Sequence, residues 1–158
     1  DKNEIVVIDT KTFTVTAHWS ILPGEAPTGL VIDTKTKRLF AACGDNAFLV
    51  VLDAQTGKVI DKLPIGKGCD GAAYDPALNN IYTSNGADGT MSVIHAAGND
   101  KFSVIATVPT KRSARTIAVD PGSHKIYLPA ADTEAATGQG RPRVIPGTFQ
   151  VLVYNGKQ

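Results

Sequence analysis

A repeat of 42–45 residues, short apolar runs rich in β-branched and aromatic side chains, and turn clusters between those runs predict an all-β fold, a β-propeller of four-stranded antiparallel blades. Val31-Ile32-Asp33, Ala73-Tyr74-Asp75 and Ala118-Val119-Asp120 each end an apolar run on aspartate, at spacings of 42 and 45 residues. Six and seven residues after each of these aspartates comes an apolar pair: Leu39-Phe40, Ile81-Tyr82 and Ile126-Tyr127. A second phase of the repeat runs through Val7-Ile8-Asp9, Val51-Leu52-Asp53, Val93-Ile94-His95 and Leu152-Val153-Tyr154, with first steps of 44 and 42 residues. From the apolar pair to this landmark the chain takes 13, 13 and then 27 residues, so the last repeat carries an insertion of 14. No segment sustains a helical period. Four strands in about 43 residues is the size of one blade, whose sheet protects its edges by joining a radial array.

The elements follow from the apolar runs and from turns such as Asp53-Ala54-Gln55-Thr56-Gly57 and Asp120-Pro121-Gly122-Ser123. Inner strands are expected near 28–33, 70–75 and 115–120, and second strands near 38–43, 80–84 and 125–129. Third strands fall near 4–9, 47–53, 90–95 and 148–154, and outer strands near 13–20, 58–63 and 102–108. The chain then divides into a half blade (1–21), two blades (22–66 and 67–109) and a three-stranded blade (110–158) with its insertion at 131–147. That makes about 3.25 blades of a ring not closed by this chain. The incomplete blades leave strand edges and a flat face to be covered, which calls for a partner.

With 158 residues, 42% hydrophobic, 20% charged and a net charge of +1, the composition is that of a globular domain, not of a disordered or nucleic-acid-coating chain. The longest apolar run, around Ala47–Leu52, is cut by Asp53, far short of the roughly 18–20 residues of a membrane helix. Asp1 opens the sequence without an initiator methionine or signal peptide, the expectation being a processed product or a segment of something longer.

These repeats resemble the YVTN-type propeller family, and within it the YncE-like secreted bacterial propellers. The resemblance covers nearly the whole chain and rests on Val50-Val51-Leu52-Asp53-Ala54-Gln55-Thr56-Gly57-Lys58-Val59, on Tyr74-Asp75-Pro76 leading to Ile81-Tyr82-Thr83-Ser84-Asn85-Gly86, and on Ala114-Arg115-Thr116-Ile117-Ala118-Val119-Asp120-Pro121 with Lys125-Ile126-Tyr127-Leu128-Pro129. It implies a ring of about seven blades, of which this chain is the C-terminal half, and a periplasmic or secreted location. The implied partner is the N-terminal half of the propeller, a second copy being the alternative.

In an antiparallel meander the segment entering the inner strand and the one leaving the second strand share one end of the blade. That end collects 23–28, 43–46, 66–71, 85–89, 110–115 and 130–147, and loops on a rigid scaffold are where binding resides. It holds Lys67, Cys69, Asp70, Asn85, Asp88, Lys111, Arg112, Arg115, Arg141 and Arg143; between 111 and 143 six basic residues face three acidic ones. The repeat places Thr28, Asp70 and Arg115 at one equivalent position where inner strands open on a central channel. Arg115, near Lys67, Lys111 and Arg112, offers a guanidinium fork to a carboxylate or phosphate. The expected ligand site is therefore the channel mouth, Lys67, Cys69, Asp70, Asn85, Lys111, Arg112 and Arg115, with an anionic small molecule or protein segment as ligand. The competing structural role is that Arg115 pairs with Asp70 or Asp88 and joins two blades. Cys43 and Cys69, the only cysteines, lie at this end of adjacent blades, where either a disulfide closing 26 residues or two buried thiols are expected.

Other chemistry finds less support. The periodic Asp9, Asp33, Asp53, Asp75 and Asp120 read as turn openers that accept backbone N–H groups two residues on. His18, His95 and His124 fall on an outer strand, a third-strand end and an opposite-end turn, so they do not converge on a metal. Trp19, the only tryptophan, reads as packing between blades and carries no Trp-rich cofactor signature, so no cofactor is expected. The Thr137–Arg143 run has two glycines without the rest of a phosphate-loop motif and reads as a loop. Ser84, Ser113 and Cys69 lack a histidine at their end of the blade to activate them. Three functional readings follow: a noncatalytic binding or scaffold propeller of the bacterial envelope; a single-stranded nucleic-acid binder, disfavoured because this end lacks aromatic stacking platforms; and a lyase or hydrolase working at the ring's centre.

Overall fold

The computed structural model describes residues 2–135 and 142–156. Thirteen strands form four antiparallel sheets among the described residues. The first sheet pairs β1 (Glu4–Asp9) with β2 (Thr14–Ser20). The second runs β3 (Pro27–Asp33), β4 (Arg38–Cys43), β5 (Phe48–Asp53) and β6 (Val59–Pro64) in simple meander order. The third repeats it with β7 (Cys69–Asp75), β8 (Asn80–Asn85), β9 (Thr90–Ala96) and β10 (Phe102–Pro109). The fourth has β11 (Ala118–Asp120), β12 (Lys125–Ala130) and β13 (Gln150–Asn155). No helix is long and apolar enough to cross a membrane among the described residues.

The middle strands of the two four-stranded sheets, β4, β5, β8 and β9, are buried on both faces, which explains continuous apolar runs where a half-solvated strand would alternate. Along β4, Leu39, Ala41 and Cys43 face the first sheet and join Ile21, Val50 and Leu52, against which Ile5 and Trp19 pack. Phe40 and Ala42 face the other way, joining Leu49 and Val51 against Cys69 and Ile81 of the third sheet. The next interface repeats the pattern with Tyr82, Met91 and Val93 against Ala114, Ile126 and Leu128. Each fully buried Val, Leu, Ile, Phe or Met among them contributes about 1.5–3 kcal/mol, so the fold is held by sheet-to-sheet contacts rather than by one central core.

The inner strands converge. A Cβ on Gly29 would lie 2.7 Å from the backbone nitrogen of Ala72, and one on Gly71 would lie 3.3 Å from the carbonyl of Arg115. These repeat-equivalent glycines let β3, β7 and the segment leading into β11 approach side by side. Hydroxyls stitch the approach: Thr28 Oγ1 donates to the Cys69 carbonyl at 2.6 Å, and Ser84 Oγ donates to the Arg115 carbonyl.

All five periodic aspartates open turns as their spacing predicts. Asp9 accepts from the Lys11 amide at 2.7 Å, Asp33 from Lys35 at 2.9 Å, Asp53 from Gln55 at 2.9 Å, Asp75 from Ala77 at 3.0 Å and Asp120 from Gly122 at 3.1 Å. One strand departs from expectation: the inner strand placed at 115–120 pairs only over Ala118–Asp120. The segment ahead of it lies along the third sheet, with Ser113 N donating to Gly86 O at 3.0 Å. The insertion starts as a narrow arm in which Thr133 bridges Val144; Arg141 and most of the glycine-containing run lie outside the described residues.

Candidate functional site at the channel mouth

A β-bulge sets the geometry. The register of β7 on β8 slips between Cys69 and Gly71, and that of β3 on β4 between Pro27 and Gly29, so Asp70 and Thr28 occupy the same bulged position in successive sheets. Bulges re-aim side chains, and this one turns the Asp70 carboxylate toward the next sheet. Arg115 reaches back to it with a two-pronged contact, Nε to Oδ2 at 2.8 Å and Nη2 to Oδ1 at 2.9 Å. The pair sits against Gly86, where a Cβ would come within 3.7 Å of both partners. Hydrogen bonding to Asp70 raises the Arg115 pKa still further, so the guanidinium is charged at every pH of interest. Arg115 remains 48% exposed and Asp70 27%, and the Nη1 side of the fork carries no hydrogen bond among the described residues.

The structure sorts the other expected site residues. Lys111 is paired with Asp132 at 2.6 Å, tying the segment ahead of β11 to the insertion. Lys67 and Arg112 are exposed and have no ion-pair partner among the described residues; the Lys67 amide donates to Asp88 Oδ2 at 2.7 Å, which fixes the loop that carries it. Asn85 and Cys69 do not line the mouth. Asn85 is fully buried, accepting from Thr83 Oγ1 at 3.0 Å and donating to Ser92 Oγ at 3.0 Å, while Gly66 N also donates to Ser92. Its amide is spent inside the third sheet, on β8 and β9, instead of facing a ligand.

The cysteines are free thiols, so the disulfide alternative is not realised. They pack into different clusters, Cys43 with Ile21 and Leu39 and Cys69 with Phe40 and Ile81, which is why proximity along one end of the sheets does not bring sulfur to sulfur. Burial pushes both thiols up to about 11, making them inert hydrophobes.

The histidines lie apart. His18 Nδ1 meets Glu4 at 2.9 Å, His95 Nδ1 meets Asn80 at 2.8 Å, and His124 Nδ1 meets the buried Asp75 at 2.7 Å. Two contacts between sheets at the opposite end escape sequence reasoning: His124 with Asp75, and Arg38, which grips Asp100 through Nε at 2.7 Å and Asp53 through Nη1 at 2.9 Å. Their partners are 49 and 62 residues apart and no local pattern signals them.

No protein-family model matches the sequence, and no curated protein matches it. Solved structures do match its fold. Hydrazine synthase of Kuenenia stuttgartiensis superposes on 73% of this chain and 32% of its own, with TM-score 0.59 and 19% identity. Dihydro-heme d1 dehydrogenase NirN in complex with DHE matches 93% of this chain and 34% of its own, with TM-score 0.66 and 14% identity. A chain of a mitotic checkpoint complex matches 80% and 39%, with TM-score 0.68 and 14% identity. The chain is a β-propeller by fold, with about three and a quarter blades of sheet. It spans about a third of the length of the propeller chains it matches.

Proposed function

We propose that this is a noncatalytic binding propeller of the YVTN type, similar to the YncE-like proteins of the bacterial envelope, that holds an anionic small molecule or acidic protein segment at its channel mouth. The observation that carries the reading is the half-exposed Arg115 fork held by Asp70 at the bulge, with the exposed Lys67 and Arg112 each three residues ahead of one partner in the loops that carry the pair. A ligand carboxylate or phosphate would take the Nη1 side of the fork and the two lysine and arginine heads, while Asp70 keeps the guanidinium oriented. The envelope location rests on the family resemblance. Fold similarity adds no function, because the neighbours include enzymes and an assembly and their activities are their own.

Inorganic phosphate, a glutamate-rich peptide and a 30-nucleotide single strand, titrated at low and moderate salt, test the site. At least one of the first two is expected to bind with salt-sensitive affinity. Arg115→Ala should weaken that binding about tenfold, as loss of a charge-assisted contact does, and Asp70→Asn should strengthen it by removing the competing carboxylate. If neither anion binds, or if Arg115→Ala lowers thermal stability and leaves affinity and its salt dependence unchanged, the pair is a structural clamp and the site is elsewhere. Binding of the oligonucleotide alone would favour the nucleic-acid reading.

A further inference from the structure

The mouth end of the sheets is polarised from one sheet to the next. Glu25, Lys67 and Arg112 are equivalent by repeat and by conformation: each is exposed, and each precedes a residue of positive φ, Ala26 (51°), Gly68 (64°) and Ser113 (71°). The loop after the second strand fixes the first two alike, Asn46 Oδ1 accepting from the Glu25 amide at 3.1 Å and Asp88 Oδ2 from the Lys67 amide at 2.7 Å. One repeat position thus carries an acid in the second sheet and a base in each of the next two.

The neighbouring charges keep this order. At this end the second sheet offers Glu25 and Asp45 without a base, both exposed and neither in an ion pair among the described residues. The third carries one base, Lys67, and two acids, Asp70 and Asp88. The segment entering β11 brings Lys111, Arg112 and Arg115, and the described part of the insertion adds Arg143 to Asp132 and Glu134. Close backbone contacts join these loops into one row. A Cβ on Gly44, next to Asp45, would lie 3.0 Å from the Cys69 carbonyl, and the equivalent one on Gly86 would lie 3.1 Å from the Ala114 carbonyl. A chain crossing the mouth therefore passes from acid to base.

We infer, given the anion site proposed at Arg115, that the occupant is an extended protein segment of split charge. Its carboxylates meet Arg115 and Arg112, and its ammonium or guanidinium groups, about four residues away, meet Glu25 and Asp45. A uniformly acidic segment would set its far carboxylates against those two acids, and like charges brought together cost affinity. The reach follows from the packing. Stacked sheets lie about 10 Å apart and their inner-strand ends closer, so second to fourth sheet is roughly 10–20 Å, or about three to six residues of extended chain.

Three end-capped peptides test the polarity: two glutamates, a Gly-Ser-Gly spacer and two lysines; the same peptide with alanines for the lysines; and the first without its spacer. At low salt the first should bind about fivefold more tightly than the second, the size of two exposed ion pairs, and the third no better than the second. Glu25→Gln combined with Asp45→Asn should erase the gain and leave the alanine peptide bound as before or more tightly, with Tm unchanged because both positions are exposed. Arg115→Ala should weaken the first two peptides alike. If the alanine peptide binds through Arg115 but the lysines add nothing, if they add as much without the spacer, or if the gain survives the double substitution, the split-charge assignment is overturned and the anion site stands. If no peptide binds, or Arg115→Ala changes neither affinity, both fall. Self-association in light scattering that excludes the peptide and is lost in the double variant would also overturn the assignment, by giving the row to a second copy.

Discussion

Gly57 shows how a single residue carries a contact between sheets. It adopts φ +73°, and a Cβ there would fall 2.1–2.4 Å from the indole carbons of Trp19, so the turn after β5 lies flat against the ring of the only tryptophan. Trp19 is thereby the packing residue its outer-strand position suggests. Two penalties add for Gly57→Ala: the left-handed conformation, about 1–2 kcal/mol, and the displacement of a rigid ring, about 1–3 kcal/mol. A drop of several degrees in Tm with altered tryptophan fluorescence is the expected outcome, and a Tm within a degree of the parent would show that the indole is free to move. Arg115 illustrates the opposite situation. Its charge and its place at the mouth are legible in the sequence; its engagement with Asp70 depends on a bulge that no composition reveals.

At the scale of the element, the turns govern the response to acid. Backbone amides of Thr12 and Lys11 hold Asp9 below the usual carboxylate range, those of Gln55 and Thr56 do so for Asp53, and the Ser123 hydroxyl leads for Asp120. For Asp33, burial pushes upward, yet the bonds from Thr36 and Lys35 outweigh it and the net shift is down. A lowered folded value means that the contribution is present above the unfolded value near pH 4 and is lost as pH falls through the folded one. Stability is expected to be level in its dependence on these groups above about pH 5 and to fall steeply below about pH 4. Asp33→Asn, which keeps a turn-forming side chain but cannot titrate, should flatten that acid limb. An acid limb identical to the parent's in urea melts between pH 2 and 5 would refute the assignment.

For the molecule as a whole, order is distributed by how many faces of a sheet are covered. β4, β5, β8 and β9 are buried on both faces, while β2, β10 and β13 are mostly exposed. Native-state amide exchange should accordingly be slowest in β4, β5, β8 and β9 and fastest in β2 and β13, since opening free energy follows local burial. Uniform protection across all thirteen strands would contradict this gradient.

Apart from the shortened β11, the sequence by itself determined the strands, their grouping and the turn aspartates, because a blade is a local object: its four strands follow one another, and each burial pattern and turn is written within about 43 residues. It also determined which end of the sheets collects the basic residues, since meander topology assigns every loop to an end. What only the tertiary structure decided lies between sheets. Cys43 and Cys69 face different clusters, Arg115 chooses Asp70 rather than Asp88, and His124 reaches Asp75. Each of these depends on how one sheet sits against the next, at separations of roughly 15–50 residues along the chain, where side-chain direction after a bulge and the close approach of Gly29 and Gly71 set the distances and no repeat in the sequence records them.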